Sequence, residues 1–224
     1  MPCCAMSKPH RGFGHLAAFT AMPYEKAEER YKLSEVDETP PDGFDIGIED
    51  IFGEEPETVF VHKGPVHHDG DVTIGAVGEY AGIYIIDGDL EVGGLLSFTQ
   101  VDGGSVLYVK GDLRARDLAL AQEAQLWVSG NLKITGHVLT ALSQAGGLAV
   151  KKRATAKAFV VTDAAPLSFG KQAKGSFIER SAGLCDEEAA AELAQDALVA
   201  PFDREDLDYD ALVEAVRKGQ PILR

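Results

Sequence analysis

The 224-residue chain is poor in cysteine, tryptophan and positive charge, with three Cys, one Trp and 21 Lys+Arg against 36 Asp+Glu. Adjacent Cys3 and Cys4 make a strained disulfide at best, and Cys185 leaves at least one thiol free. That is a poor framework for a secreted domain and points to a reducing compartment, the cytoplasm. No Cys or His stands at a ligand spacing beside the pair, so Cys3 and Cys4 read as incidental thiols. No run of 18 apolar residues occurs, which excludes a membrane-spanning helix. Lys8 and Arg11 precede the apolar stretch Leu16–Phe19, which is too short for a secretory signal, and Met22 is an alternative start. The formal charge of −15 argues against nucleic acid and anionic membrane as partners, and it suits a basic protein.

Also missing are a Gly-x-Ser-x-Gly elbow, a His-Glu-x-x-His helix and a Walker loop. The paired glycines Gly103-Gly104 and Gly146-Gly147 lack the strand–helix context of a dinucleotide site. What is present is repetition. Five segments follow one template: VHHDGDVTI from Val66, YIIDGDLEV from Tyr84, LYVKGDLRA from Leu107, LWVSGNLKI from Leu126 and LAVKKRATA from Leu148. Gly70, Gly88, Gly111 and Gly130 mark the same position in four copies, and Lys152 replaces glycine in a degenerate fifth. The steps of 18, 23, 19 and 22 residues average close to 20.

Each copy alternates apolar and polar residues, bends at Gly-Asp, then alternates again. Glycine accepts backbone angles that other residues resist, and Asp or Asn can hydrogen-bond the turn. A further short strand follows in most copies, as in GLLSFTQ from Gly94 and HVLTAL from His137. About 20 residues and three short strands form one rung of a parallel β-solenoid, and about five rungs rise roughly 20–25 Å. Left-handed hexapeptide solenoids keep a period of six, which these steps do not. The expected fold is therefore a mainly β, right-handed parallel β-helix of about five rungs with helical caps at the termini.

Three regions result: 1–58, an N-terminal helix and acidic capping segment; 59–165, the solenoid; and 166–224, an acidic helical cap. Pro23–Leu33 reads as a short amphipathic helix, and Phe44, Ile46, Ile48, Ile51 and Phe52 read as a cap on the first rung. Cys185–Val199 and Asp206–Lys218 are helix candidates, the second stopped by Gly219 and Pro221. Caps protect the unpaired strand edges at solenoid ends. Glu35–Glu57 and Asp186–Asp210 carry ten acids each with one base, Arg204. Concentrated negative potential speeds encounter with a basic surface, although a solvated cap would look the same.

Neighbouring strand residues point to opposite faces, so His67 and His68 do not both reach one ion, and with His62 they read as solvated. Asp89, Asp112 and Asn131 recur at one corner and read as a structural ladder more than a glycosidase-type acid pair. Neither a metal nor another cofactor is called for.

The run Tyr84–Asp163, with GDLEVGGLL, GDLRARDLAL and GNLKITGHVL, resembles bacterial polymer-forming, bactofilin-like β-solenoids. The closing DALVEAVRKGQPILR resembles the tail of members associated with polymorphic-toxin and type VI secretion neighbourhoods. The resemblance implies a cytosolic immunity protein that binds a basic toxin domain and occludes its active site or substrate cleft, without chemistry of its own. Expected contact residues are Asp203, Glu205, Asp206, Asp208 and Asp210, then Glu54, Glu55 and Glu57. The alternative is a polymer-forming scaffold, and a homodimer stays open.

Overall fold

A strand with a two-residue period cannot bury its inward side chains alone, so successive copies must stack on one another. The computed structural model describes residues 13, 16–34, 56–75, 82–143, 145–161, 166–179, 198–199 and 207–224. Its strands are β1 (Thr20–Pro23), β2 (Thr58–Lys63), β3 (Val66–His68), β4 (Val72–Ile74), β5 (Gly82–Asp87) and β6 (Leu90–Val109). They continue as β7 (Leu113–Val128), β8 (Leu132–Ile134), β9 (His137–Leu142), β10 (Gly147–Val161) and β11 (Leu167–Glu179). Two short helices flank them, α1 (Tyr24–Tyr31) and α2 (Tyr209–Arg217).

β1 pairs antiparallel with β2, and every other strand pairing among the described residues is parallel. The result is a mainly β solenoid of about five turns. Three faces follow from the pairing. The first stacks β2, β5, Ser105–Val109, Gln125–Val128, Gly147–Val150 and Leu167–Phe169. The second stacks β3, Leu90–Val92, Leu113–Ala115, β8 and Ala154–Thr155. The third stacks β4, Leu96–Phe98, Leu118–Gln122, β9 and Ala158–Val161. The last turn, β11, continues past residue 165, where the sequence placed the end of the solenoid.

On the first face Phe60, Tyr84, Leu107, Leu126, Leu148 and Leu167 are register partners, which gives steps of 24, 23, 19, 22 and 19 residues. The first step differs from the sequence alignment. Val66 pairs with Leu90, and the Gly94 N–H donates to the Gly70 carbonyl at 3.2 Å, so Gly70 lies beside Gly94 and not Gly88. Gly88 instead adjoins Gly64, where an added Cβ would lie 2.6 Å from the Gly64 carbonyl oxygen. Gly70 and Gly88 lie at two different corners and each is followed by aspartate, so the motif alone does not say which corner it marks.

Inward side chains form one continuous core, from Val66, Val72 and Ile74 through Leu96, Leu118 and Val138 to Phe159 and Phe177. Equivalent positions place like on like. Phe60 stacks on Tyr84 with centroids 5.0 Å apart, and Phe159 on Phe177 at 4.5 Å. Phe13 stacks on the other side of this aromatic group, 3.6 Å from Tyr84, and Leu16 joins the same core. Phe13 and Leu16, upstream of Met22, therefore belong to the folded unit.

Candidate functional site

Outward side chains are apolar on two of the three faces, and the chain covers both. Val59, Val61, Ile83, Ile85, Val106, Tyr108 and Trp127 point out of the first face and cluster with Tyr24, Ala27, Tyr31 and Leu33, from α1 and the residues just after it. Arg30 donates to Asp87 at 2.7 Å and the Tyr31 hydroxyl donates to the same carboxylate at 3.2 Å, so the helix is tied to β5. Burial, and then the Asp87 charge, raise the Tyr31 phenol above its ordinary pKa. On the third face Leu95, Ala119, Leu139, Ala158, Val160 and Ile178 cluster with Leu212, Ala215, Val216 and Ile222. The Tyr209 hydroxyl donates to the Leu120 carbonyl at 2.9 Å, and its burial pushes the phenol pKa up. Both helices thus lie against the sides of the column. The sequence placed helical caps over its ends; of the Cys185–Val199 candidate only Leu198 and Val199 are described, and Leu198 forms an antiparallel bridge with Leu223.

Among the described residues nothing covers the second face. Its outward row runs His67, Glu91, Arg114, Lys133, Thr155 and Lys174 up the stack, each the register partner of the next. A shallow groove of about 430 Å³ lies on it between Glu91, Arg114, Arg116 and Lys133. A small cavity of about 20 Å³ lies next to Trp127, room for about one water molecule. Neither has the enclosure of a small-molecule site.

Corner carboxylates link one turn to the next. Asp71 Oδ1 accepts from Leu95 N–H at 2.8 Å, and Asp89 Oδ1 from Asp112 N–H at 2.9 Å. Asp112 Oδ1 accepts from Asn131 N–H at 2.8 Å, and Asp117 Oδ1 from His137 N–H at 2.8 Å. Arg114 bridges Asp89 and Asp112, and Lys133 Nζ reaches Asp112 at 2.7 Å. Burial pushes the Asp112 carboxyl up, but donation from Asn131 and Lys133 outweighs it and holds the group below the usual carboxylate range. Asp117 is lowered in the same way, with His137 and Arg116 overcoming its burial. These aspartates act as fixed acceptors within a ladder, as the sequence implied for Asp89, Asp112 and Asn131.

The histidines diverge. His67 Nε2 lies 2.9 Å from Asp69, His68 Nε2 is 2.6 Å from the Leu16 carbonyl, and His62 Nδ1 is 3.0 Å from that of Ala18. Among the described residues no group of three or more His, Cys, Asp or Glu is placed to hold a metal.

Of the eight expected contact residues, Glu57, Asp208 and Asp210 are described, and the other five lie outside the described residues, as do Cys3, Cys4 and Cys185. Asp208 caps α2, accepting from Ala211 N–H at 3.0 Å. Asp210 is exposed in the first turn of that helix, where a carboxylate complements the dipole. Glu57 is exposed at the foot of β2, and its carbonyl accepts from Tyr24 N–H at 3.0 Å. The described acids therefore sit beside the first face and over the third, and not in one patch.

Sequence reasoning missed a cluster of the opposite sign. Lys151, Lys152, Arg153, Lys157, Lys171 and Lys174 are all exposed on the last two turns. The signal was readable: between Gly147 and Ile178 the only acid is Asp163.

Compared with protein-family models, curated proteins and solved structures, the chain has no match.

Proposed function

We propose that this is a non-enzymatic binding protein, an immunity protein that neutralises a basic toxin domain by covering its active site or substrate cleft. The observation that carries this reading is charge segregation. Between Thr58 and Glu179 eleven Lys+Arg offset twelve Asp+Glu, so the column is nearly neutral and −14 of the net −15 lies in the flanks. The corner acids Asp71, Asp89, Asp112 and Asp117 are engaged in the ladder, whereas Glu57 and Asp210 of the flanks are exposed. A rigid column that fixes those flanks would lose little ordering entropy on association. In this reading the protein is cytoplasmic, the column is right-handed, and the N-terminal and C-terminal flanks cap its two ends.

The test is affinity for a partner isolated from the native cell and identified by mass spectrometry. Reversing Asp203, Glu205, Asp206, Asp210, Glu54, Glu55 and Glu57 together is expected to slow association and reduce its salt dependence. Asp208 is left intact because its loss would also uncap α2. Unchanged affinity in the reversed variant would refute the electrostatic reading. The second reading, a bactofilin-like polymer-forming scaffold, is favoured by one feature: among the described residues β11 pairs on one side only. A monodisperse monomer or dimer in light scattering removes it.

A further inference from the structure

The corner between the first and second faces changes its chemistry on the way up the column. Register places Asp89, Asp112, Asn131 and Arg153 one above another, each just before the paired residues Leu90, Leu113, Leu132 and Ala154. Lys171 is the register partner of Arg153 on the last turn. Lower down, the corner carries its own anion. Asp89 and Asp112 accept from the N–H of the next turn, and Arg114 and Lys133 close on Asp112 at 2.9 and 2.7 Å. At Arg153 and Lys171 the same position holds side chains that only donate. Lys152, in place of the corner glycine, adds a third cation, and Lys174 continues the outward row above Lys133 and Thr155.

Among the described residues no acid answers this charge. Lys151, Lys152, Arg153, Lys157, Lys171 and Lys174 are exposed and form no ion pair with any described residue. Arg30, Arg114, Arg116 and Lys133, by contrast, each meet an aspartate. Between Gly147 and Ile178 the only acid is Asp163, which lies outside the described residues, and Glu179 pairs in register with Val161 on the third face. Like charges opposite each other on neighbouring strands repel. The arrangement therefore costs stability unless an external anion takes the place that the Asp112 carboxylate holds two turns below Arg153.

We infer that this upper corner binds clustered phosphate groups carried by a small soluble molecule, with Lys152, Arg153, Lys171 and Lys174 as the contacts. A phosphate group offers acceptor oxygens on several sides and carries close to two negative charges at neutral pH, against one for a carboxylate. Lysine ammoniums meet it as point charges, and the Arg153 guanidinium meets it through a fork of two N–H donors. Neighbouring turns lie about 4.8 Å apart, so cations from two turns reach adjoining phosphates of one molecule. The surroundings narrow the source. The nearest aromatics, Phe159, Phe169 and Phe177, are buried, so no base stacks there and no apolar group is offered to a bilayer. The net charge of −15 repels an extended polyanion at long range and opposes a compact one less. This corner is separate from the acidic flanks and opposite in sign, so its failure leaves the proposed function standing, and the reverse also holds.

The probe is sodium tripolyphosphate, titrated into the full chain by isothermal calorimetry, with citrate and sulfate as controls at equal ionic strength. Expected are saturable binding of tripolyphosphate, weakening as salt rises, and clearly weaker binding of both controls. Arg153→Glu with Lys171→Glu should lower affinity about tenfold, since two exposed contacts are lost and made repulsive. Arg153→Gln with Lys171→Gln should give a smaller loss and is the variant to use if the double reversal does not fold. Lys26→Glu with Lys63→Glu changes net charge by the same amount at exposed residues of α1 and β2, and should leave affinity within about twofold. The inference is overturned by no saturable binding, by unchanged affinity in the folded Arg153 and Lys171 variants, or by an equal loss in the Lys26 and Lys63 variant. Citrate or a polyglutamate peptide binding as tightly as tripolyphosphate would overturn the choice of phosphate. Tighter binding of vesicles containing phosphatidylinositol bisphosphate, or of a duplex DNA oligonucleotide, would overturn the choice of a small soluble source.

Discussion

Asp112 gives the sharpest test of how the turns are held together. Its carboxylate accepts from Asn131 N–H at 2.8 Å and Asn131 Nδ2 at 3.0 Å, and it pairs with Arg114 at 2.9 Å and Lys133 at 2.7 Å. Asp112→Ala strips the corner N–H of Asn131 of its acceptor, a loss of about 1–3 kcal/mol. Arg114 and Lys133 are 39% and 47% exposed and turn to water, so their loss adds less than about 1 kcal/mol. The expected destabilisation is about 2–3 kcal/mol, or a Tm lower by about 5–10 °C for a chain of this length. Asp112→Asn keeps an acceptor oxygen and gives up the charge, so it should cost about 1 kcal/mol. The assay is urea unfolding followed by far-UV circular dichroism and by fluorescence of Trp127, the single tryptophan, buried beside Tyr108.

The pH dependence gives an independent check on the same residue. The folded carboxyl is held below its unfolded value, so its ionised form stabilises the fold at any pH above about 4, the unfolded carboxylate value. As pH falls below that value toward the lower folded one, the contribution is lost. The stability gap between wild type and Asp112→Asn should be flat from neutrality to about pH 5 and close at lower pH. An alanine variant within about 0.5 kcal/mol of wild type, or a gap that does not narrow in acid, would refute the ladder as a stabilising device.

Two further outcomes follow from the packing. Gly130→Ala places a Cβ 2.5 Å from the Gly111 carbonyl carbon and 2.6 Å from Asp112 Oδ1, contacts that flexible side chains do not relieve. It should destabilise by about 2 kcal/mol or more, read as a lower urea midpoint, whereas Gly64→Ala meets nothing within 4 Å and suffers only from its φ of +96°. Tyr209→Phe removes the bond to the Leu120 carbonyl and should lower stability by about 1 kcal/mol, with earlier protease cleavage of the C-terminal tail than in wild type.

Much of the column was legible because its determinants are local. Alternation in LYVKGDLRA and LWVSGNLKI states which side chains point inward, and the Gly-Asp corner states where the chain bends. The last three spacings of the sequence alignment, 23, 19 and 22 residues, recur among the register steps. The first did not, because Gly70 and Gly88 occupy different corners, and corner identity depends on which strands pair. The covering of two faces left a readable trace: Gly82–Ile86 is buried at every position, while Leu132–Ile134 buries only alternate ones. A strand apolar on both sides needs a neighbour on both sides.

The basic patch was less visible for a different reason. Net charge is a sum over the chain, and −15 conceals six exposed cations that lie in two separate stretches of sequence. Arg153 and Lys171 become neighbours only when β11 stacks on β10.

The sequence by itself determined the repeat, the parallel stacking and the segregation of acids into the flanks, since each is a property of residue order and side-chain period. Tertiary structure decided which glycines meet, which two faces the helices cover and where unpaired charge collects. Those outcomes depend on contacts between residues about 20 or more positions apart, and a local Gly-Asp pattern does not say which corner it occupies until its strand takes up register.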